Sequence, residues 1–235
     1  MPISYFVLRE TPKSIQFPPI RIPPNTYSKR RFEPPNADDK PTTIFAPENN
    51  NLHAARFVRR SNWQEALIYA AGACTDNEHA GCAFIFHPNS PKQNVQFSLE
   101  IKGPFNEEHP QSQDRATLRA VLGALTFREW DGEGFRRVVI ATDSEYVVLG
   151  LTELVYRWRD NGWVKSSGTP VENRDLWEAL LERLHEVERR GTQPLFWLIT
   201  KQQNAATRMA EAAADNWERT EHFTLTWFMH KPWTM

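Results

Sequence analysis

Cysteine is scarce in this chain. Cys74 and Cys82 are too few for a disulfide scaffold, and no His or third Cys lies at ligand spacing around them. They read as buried thiols. No apolar run reaches transmembrane length and no signal-peptide pattern opens the sequence, so the expectation is a soluble intracellular protein with no membrane partner, nucleus and cytoplasm undistinguished. An excess of either charge is also lacking: 28 Lys plus Arg face 29 Asp plus Glu, a formal net charge of -1. A globally basic surface for nucleic acid is excluded, and any such binding must rest on a local patch.

What is there is unevenly distributed. The 235 residues fit one domain of about 150 residues with extensions. Residues 1–52 are crowded with proline (Pro18, Pro19, Pro23, Pro24, Pro34, Pro35), end in Asn49, Asn50 and Asn51, and read as a disordered arm. Its cluster Lys29, Arg30 and Arg31 is expected to be solvated, a nuclear-import or phosphate-contacting patch being the alternative. Residues 53–220 read as the folded domain and 221–235 as an aromatic tail.

From residue 56 onward the pattern predicts regular elements. Ala66–Ala71, Gly81–Phe86 and Val95–Ile101 read as three consecutive antiparallel strands. Leu118, Val121, Leu122 and Leu125 mark an amphipathic helix from Asp114 to Phe127. The run Arg137–Asp143 is too continuously apolar for a half-exposed strand and so predicts one buried on both faces, ending in a carboxylate. Helical segments around Ser144–Gly150 and Thr152–Asp160, a long helix Asn173–Arg190, a strand Pro194–Ile199 and an Ala-rich helix Ala205–Trp217 follow.

That order, with its motifs, resembles the type 1 ribonuclease H family from about residue 56 to 216. Thr142-Asp143-Ser144-Glu145-Tyr146-Val147 is similar to the family's Thr-Asp-Ser-x-Tyr-Val. Asn161-Gly162-Trp163, followed by Pro170 to Trp177, resembles its basic protrusion and the start of the next helix; Gly72-Ala73-Cys74 and Arg115-Ala116 also match. The run Gly132 to Arg137 resembles the filamentous-fungal branch. The resemblance implies an α/β fold, a five-stranded mixed sheet flanked by helices, and two-magnesium hydrolysis of the RNA strand of an RNA–DNA hybrid.

Two cations about 4 Å apart require several converging carboxylates, because magnesium takes hard oxygen ligands. The family draws them from four places. In this chain the corresponding positions hold Ala71, Thr117, Asp143 and, counted from Asn204, Arg208, with Thr207 the alternative in a slipped register. Only Asp143 is a carboxylate. The expectation is a degenerate site in which Arg208 pairs with Asp143, no cofactor is needed, and the chain is a pseudoenzyme retained as a binding module. The alternative is an active endonuclease that binds Mg2+ through relocated carboxylates, the candidates being Asp76, Glu78, Asp114, Glu145 and Glu211.

Trp163, Lys165, Ser166 and Asn173 are the expected nucleic-acid contacts, against a reading in which Trp158 and Trp163 only pack the protrusion. Residues 53–220 carry 20 Lys plus Arg against 23 Asp plus Glu, and Gln113-Asp114 and Glu172 stand where the family favours neutral or basic groups. Hybrid binding is therefore expected to be weak at physiological salt. The tail Phe223–Trp233 is expected to pack on its own domain, a sheet edge of a partner or second copy being the alternative.

Overall fold

The run Ala66–Ala71 lies in the middle of the longest strand, β3 (Asn62–Thr75), in the computed structural model, which describes residues 30–49, 55–75, 78–88, 93–216 and 220–224. Its C-terminal half pairs antiparallel with β4 (His79–Ile85), and β4 pairs with β5 (Val95–Ser98). Along its other edge β3 takes β6 (Arg137–Thr142) in parallel, and β6 takes β7 (Gln193–Leu198) in parallel. This is the expected five-stranded mixed sheet. Being central, β6 is covered on both faces, as its unbroken apolar run implied; five of its six residues are buried.

Two further strands were not expected. β1 (Phe45–Asn49) and β2 (Ala55–Arg59) form an antiparallel pair, and β2 joins the N-terminal half of β3. Pro47 hid the first of them from a pattern reading, yet proline is tolerated at the edge of a sheet, where its lack of an N–H breaks no ladder.

The boundary at residue 52 therefore needs correction, because residues 30–49 belong to the folded body. Arg30 is buried, donating Nε and Nη2 to the Glu188 carboxylate at 2.8 and 3.0 Å with its guanidinium 5.2 Å from the Tyr156 ring centre. Arg31 pairs with Glu153 at 3.2 Å. Neither guanidinium stands free as a phosphate-contacting patch requires; Lys29 lies outside the described residues. Phe32 donates its N–H to the Phe196 carbonyl at 2.9 Å and sets its ring 4.8 Å from Trp197. A short helix, α1 (Pro41–Ile44), then leads into β1, with proline where its missing N–H costs nothing.

Alternation along β3 sorts the core into two layers. Ile68 and Ala70 face the larger layer, built with α2 (Gln113–Thr126) and α5 (Arg174–Arg189). Leu67, Tyr69 and Ala71 face the smaller one, made by Phe32, Phe45, Trp197 and the start of α6 (Thr207–Ala214). The two helical segments after Asp143 are one continuous run: α3 (Glu145–Leu149) passes through a π turn, Gly150–Leu154, into α4 (Val155–Asp160). Gly150 is required there because a Cβ would overlap the Trp177 indole. Past α6, Ile101 and Lys102 donate N–H groups to the carbonyls of Thr220 and Glu221, and Phe223 lies 4.4 Å from the Arg119 guanidinium. The start of the tail packs on its own domain; residues 225–235, where the sheet-edge alternative would act, lie outside the described residues.

Candidate functional site

Asp143 follows the last residue of β6, and its position is set by parallel pairing. Ala141 lies opposite Tyr69, so the same register carries Asp143 level with Ala71 two residues on. Gly72 then lets β3 touch α2, since a Cβ at Gly72 would sit inside the backbone of Ala116 and Thr117. Three of the four positions named from sequence are thereby brought to one end of the sheet.

The chemistry at that end is mostly neutral. Ala71 is buried in the smaller core layer. Thr117 is buried too, and its hydroxyl donates to the Gln113 carbonyl at 2.9 Å. Asp143 is half-buried and accepts a hydrogen bond of 2.6 Å from Asn204 Nδ2. The same amide donates to the Ala70 carbonyl at 3.0 Å, while Asn204 Oδ1 accepts from the Ala206 N–H at 3.1 Å. One buried side chain thus joins the β3 backbone, the retained carboxylate and the entry to α6.

The expected pairing of Arg208 with Asp143 is corrected. Arg208 is exposed near the start of α6 and makes no ion pair among the described residues. The helix turns it to solvent, and Asn204 takes the place beside Asp143. In the alternative register, Thr207 is half-buried, its hydroxyl enclosed without a hydrogen-bond partner among the described residues. Sequence reasoning used Asn204 only as a counting point; a small amide flanked by strand and Ala-rich helix was the available signal.

Of the candidate displaced carboxylates, Glu211 pairs with Lys201 at 3.1 Å and Asp76 lies outside the described residues. Asp114 contacts the neighbour of Asp143. Burial pushes its carboxyl above the usual range, Glu172 adds to that, and a hydrogen bond with Ser144, the residue after Asp143, opposes it. Glu145 is exposed and shares a cleft of about 740 Å³ with Asp143. No cluster of three or more His, Cys, Asp or Glu with the geometry of a metal site occurs among the described residues. Neither cysteine forms a disulfide among the described residues; Cys82 is fully buried and Cys74 half-buried.

The protrusion holds its contacts differently from the expectation. Trp163 is only 6% exposed, packed in the larger core layer beneath the Arg174 guanidinium, so it is a poor candidate for stacking on a nucleic acid. Its backbone lies at φ 64°, held by an N–H bond to the Trp158 carbonyl at 2.6 Å. Lys165 reaches Glu172 at 3.3 Å, Ser166 is exposed, and Asn173 accepts from Arg115 Nη1 at 3.3 Å. Lys165, Ser166 and Asn173 lie at or near the surface; the aromatic member is structural.

Comparison with known proteins identifies a family and several relatives. A family model described as RNase H matches residues 64–190. A ribonuclease H of Treponema pallidum is 36% identical over 118 residues, covering 48% of this chain and 69% of its own length. One of Crithidia fasciculata is 28% identical over 187 residues, covering 68% of this chain and 37% of its own length. One of a Janthinobacterium is 29% identical over 150 residues, covering 63% and 92%. Among solved structures, a type 1 RNase H with a type 2 active-site motif aligns at TM-score 0.42 and 27% identity, covering 64% of this chain and 72% of that one. The RNase H domain of prototype foamy virus aligns at 0.40 and 20%, covering 63% and 88%. The curated relatives are named enzymes of a magnesium-using kind, which overturns the expectation that no cofactor is involved.

Proposed function

Because the chain belongs to the ribonuclease H family, we propose that its ligand is the RNA–DNA hybrid and that it is a hybrid-directed ribonuclease by descent, with the Asp143 end of the sheet facing the scissile strand. The observation that carries this is the RNase H match over residues 64–190, which includes Asp143 at its strand end and the whole protrusion. Mg2+ is the cofactor that family membership implies, and it would supply charge stabilisation to the phosphodiester. The four family positions alone do not fit a two-cation group: Asp143 is the one carboxylate among them, and one of its oxygens is committed to Asn204.

What the chain's own residues offer is positioning. Asn204 fixes the Asp143 carboxylate, Ser144 caps α3 by accepting from the Val147 N–H at 3.3 Å, and Lys165, Ser166 and Asn173 present polar groups on the same family surface. Hydrolysis in this reading draws on Asp114, which bonds to Ser144 beside Asp143, and on Glu145, which shares the Asp143 cleft. A second reading, a hybrid binder that does not cut, is favoured by Ala71, Thr117 and Arg208 at the other three positions.

The test is incubation of an end-labelled hybrid with the protein in Mg2+ or Mn2+. Cation-dependent cleavage lost in Asp143→Asn is the result of the first reading; binding without cleavage is the result of the second. A chain that neither binds nor cuts hybrid contradicts both.

A further inference from the structure

The N-terminal segment crosses the face that holds Asp143. It is fixed upstream by Arg30 on Glu188 and by Phe32 on Phe196 and Trp197, and downstream by the α1 turn. Between these anchors Asp39 closes a tight loop, its Oδ2 accepting from the backbone N–H and the Nδ2 of Asn36 at 2.9 and 3.0 Å. The loop carries Asp38 and Asp39 into the lining of the cleft that contains Asp143 and Glu145. Asp38 is exposed and makes no ion pair among the described residues. Lys40 and Lys201 are the cations of that lining, and Lys201 is drawn to Glu211. Four carboxylates, Asp143 among them, thus share this cleft with two ammonium groups. None of the anchored segment belongs to the part of the chain that the RNase H model matches.

We propose that residues 33–40 form an acidic strap that screens the Asp143 cleft against phosphate and holds the chain's affinity for nucleic acid below what its domain surface would allow. A phosphate backbone approaching Asp143 passes within the field of Asp38 and Asp39, and repulsion between charges at this range persists to about one Debye length, roughly 8 Å at physiological ionic strength. The strap is fixed by side-chain anchors at both ends, so the repulsion is not relieved by the segment drifting away. The inference rests on the hybrid reading above, since it takes the Asp143 face as the nucleic-acid face.

The experiment measures binding of a labelled RNA–DNA hybrid and of a single-stranded DNA of equal length to the full chain at low and high salt. Asp38→Asn keeps the side-chain shape and leaves the Asp39 loop intact; Glu48→Gln removes one charge from β1, outside the cleft lining. The expected result is affinity raised about threefold by Asp38→Asn for both probes at low salt, the gain vanishing at about 0.5 M salt, with Glu48→Gln unchanged. Equal gains from the two substitutions, or none from Asp38→Asn, overturn the strap. A gain from Asp38→Asn on both probes without preference for hybrid leaves the strap standing and overturns the hybrid reading. Absence of binding by every protein to both probes overturns both.

Discussion

Asn204 is the residue on which the local geometry converges, because it satisfies the Ala70 carbonyl, the Asp143 carboxylate and the Ala206 N–H together. Asn204→Ala strands a buried acceptor and frees the carboxylate, so unfolding in urea is expected at about 1–3 kcal/mol lower stability with an unchanged slope. Asp114 behaves oppositely. Its carboxyl is pushed up by burial, so the folded chain holds its proton more tightly than the unfolded one and pays for its charge once the pH exceeds that raised range. Asp114→Asn is therefore expected to stabilise near neutral pH, the gain shrinking as the pH falls through the raised range and the wild-type carboxyl takes up its proton. Thermal melts of the two proteins between pH 4 and pH 8 check this sign. At this scale the sequence was half legible: Ala71, Thr117 and Asp143 fall where the motifs placed them, whereas the partner of Asp143 depends on how α6 enters the sheet end, which no local spacing encodes.

Close approach of elements is where single glycines decide the outcome. Gly72 and Gly81 let β3 and β4 touch the backbones of α2 and α6, and a Cβ at either would overlap the facing helix. Gly72→Ala is expected to destabilise by about 1–3 kcal/mol as the helix is displaced, and to shift the Thr117 backbone relative to Ala71, visible as changed amide resonances at both strand ends. The anchored arm is the element the sequence hid. Its prolines and lack of periodicity resemble disorder, yet Phe32 buries its ring against Phe45 and Trp197, residues 13 and 165 positions away. Contacts of that separation leave no periodic trace. Phe32→Ala is expected to cost about 3–5 kcal/mol in the same urea assay, against almost nothing if the arm contributed no packing. Helix and strand identity, by contrast, was legible in α2, where the spaced Leu118, Val121, Leu122 and Leu125 are buried, and in β6, whose unbroken apolar run is buried on both faces.

Taken as a whole, the molecule joins a family-type domain to an N-terminal segment that thickens one face of its sheet. Residues 53–220 carry three more acids than bases, so the affinity of the chain for any nucleic acid is expected to be low and steeply salt-dependent. Among the described residues no helix is long and apolar enough to cross a membrane. Three of the four family carboxylate positions hold Ala71, Thr117 and Arg208, so on the proposed reading hybrid preference is the property to test. The decisive measurement is competition between RNA–DNA hybrid and duplex DNA of the same sequence for the wild-type chain at low salt, read by fluorescence anisotropy. Preferential retention of the hybrid is predicted; equal competition by duplex DNA would contradict the account.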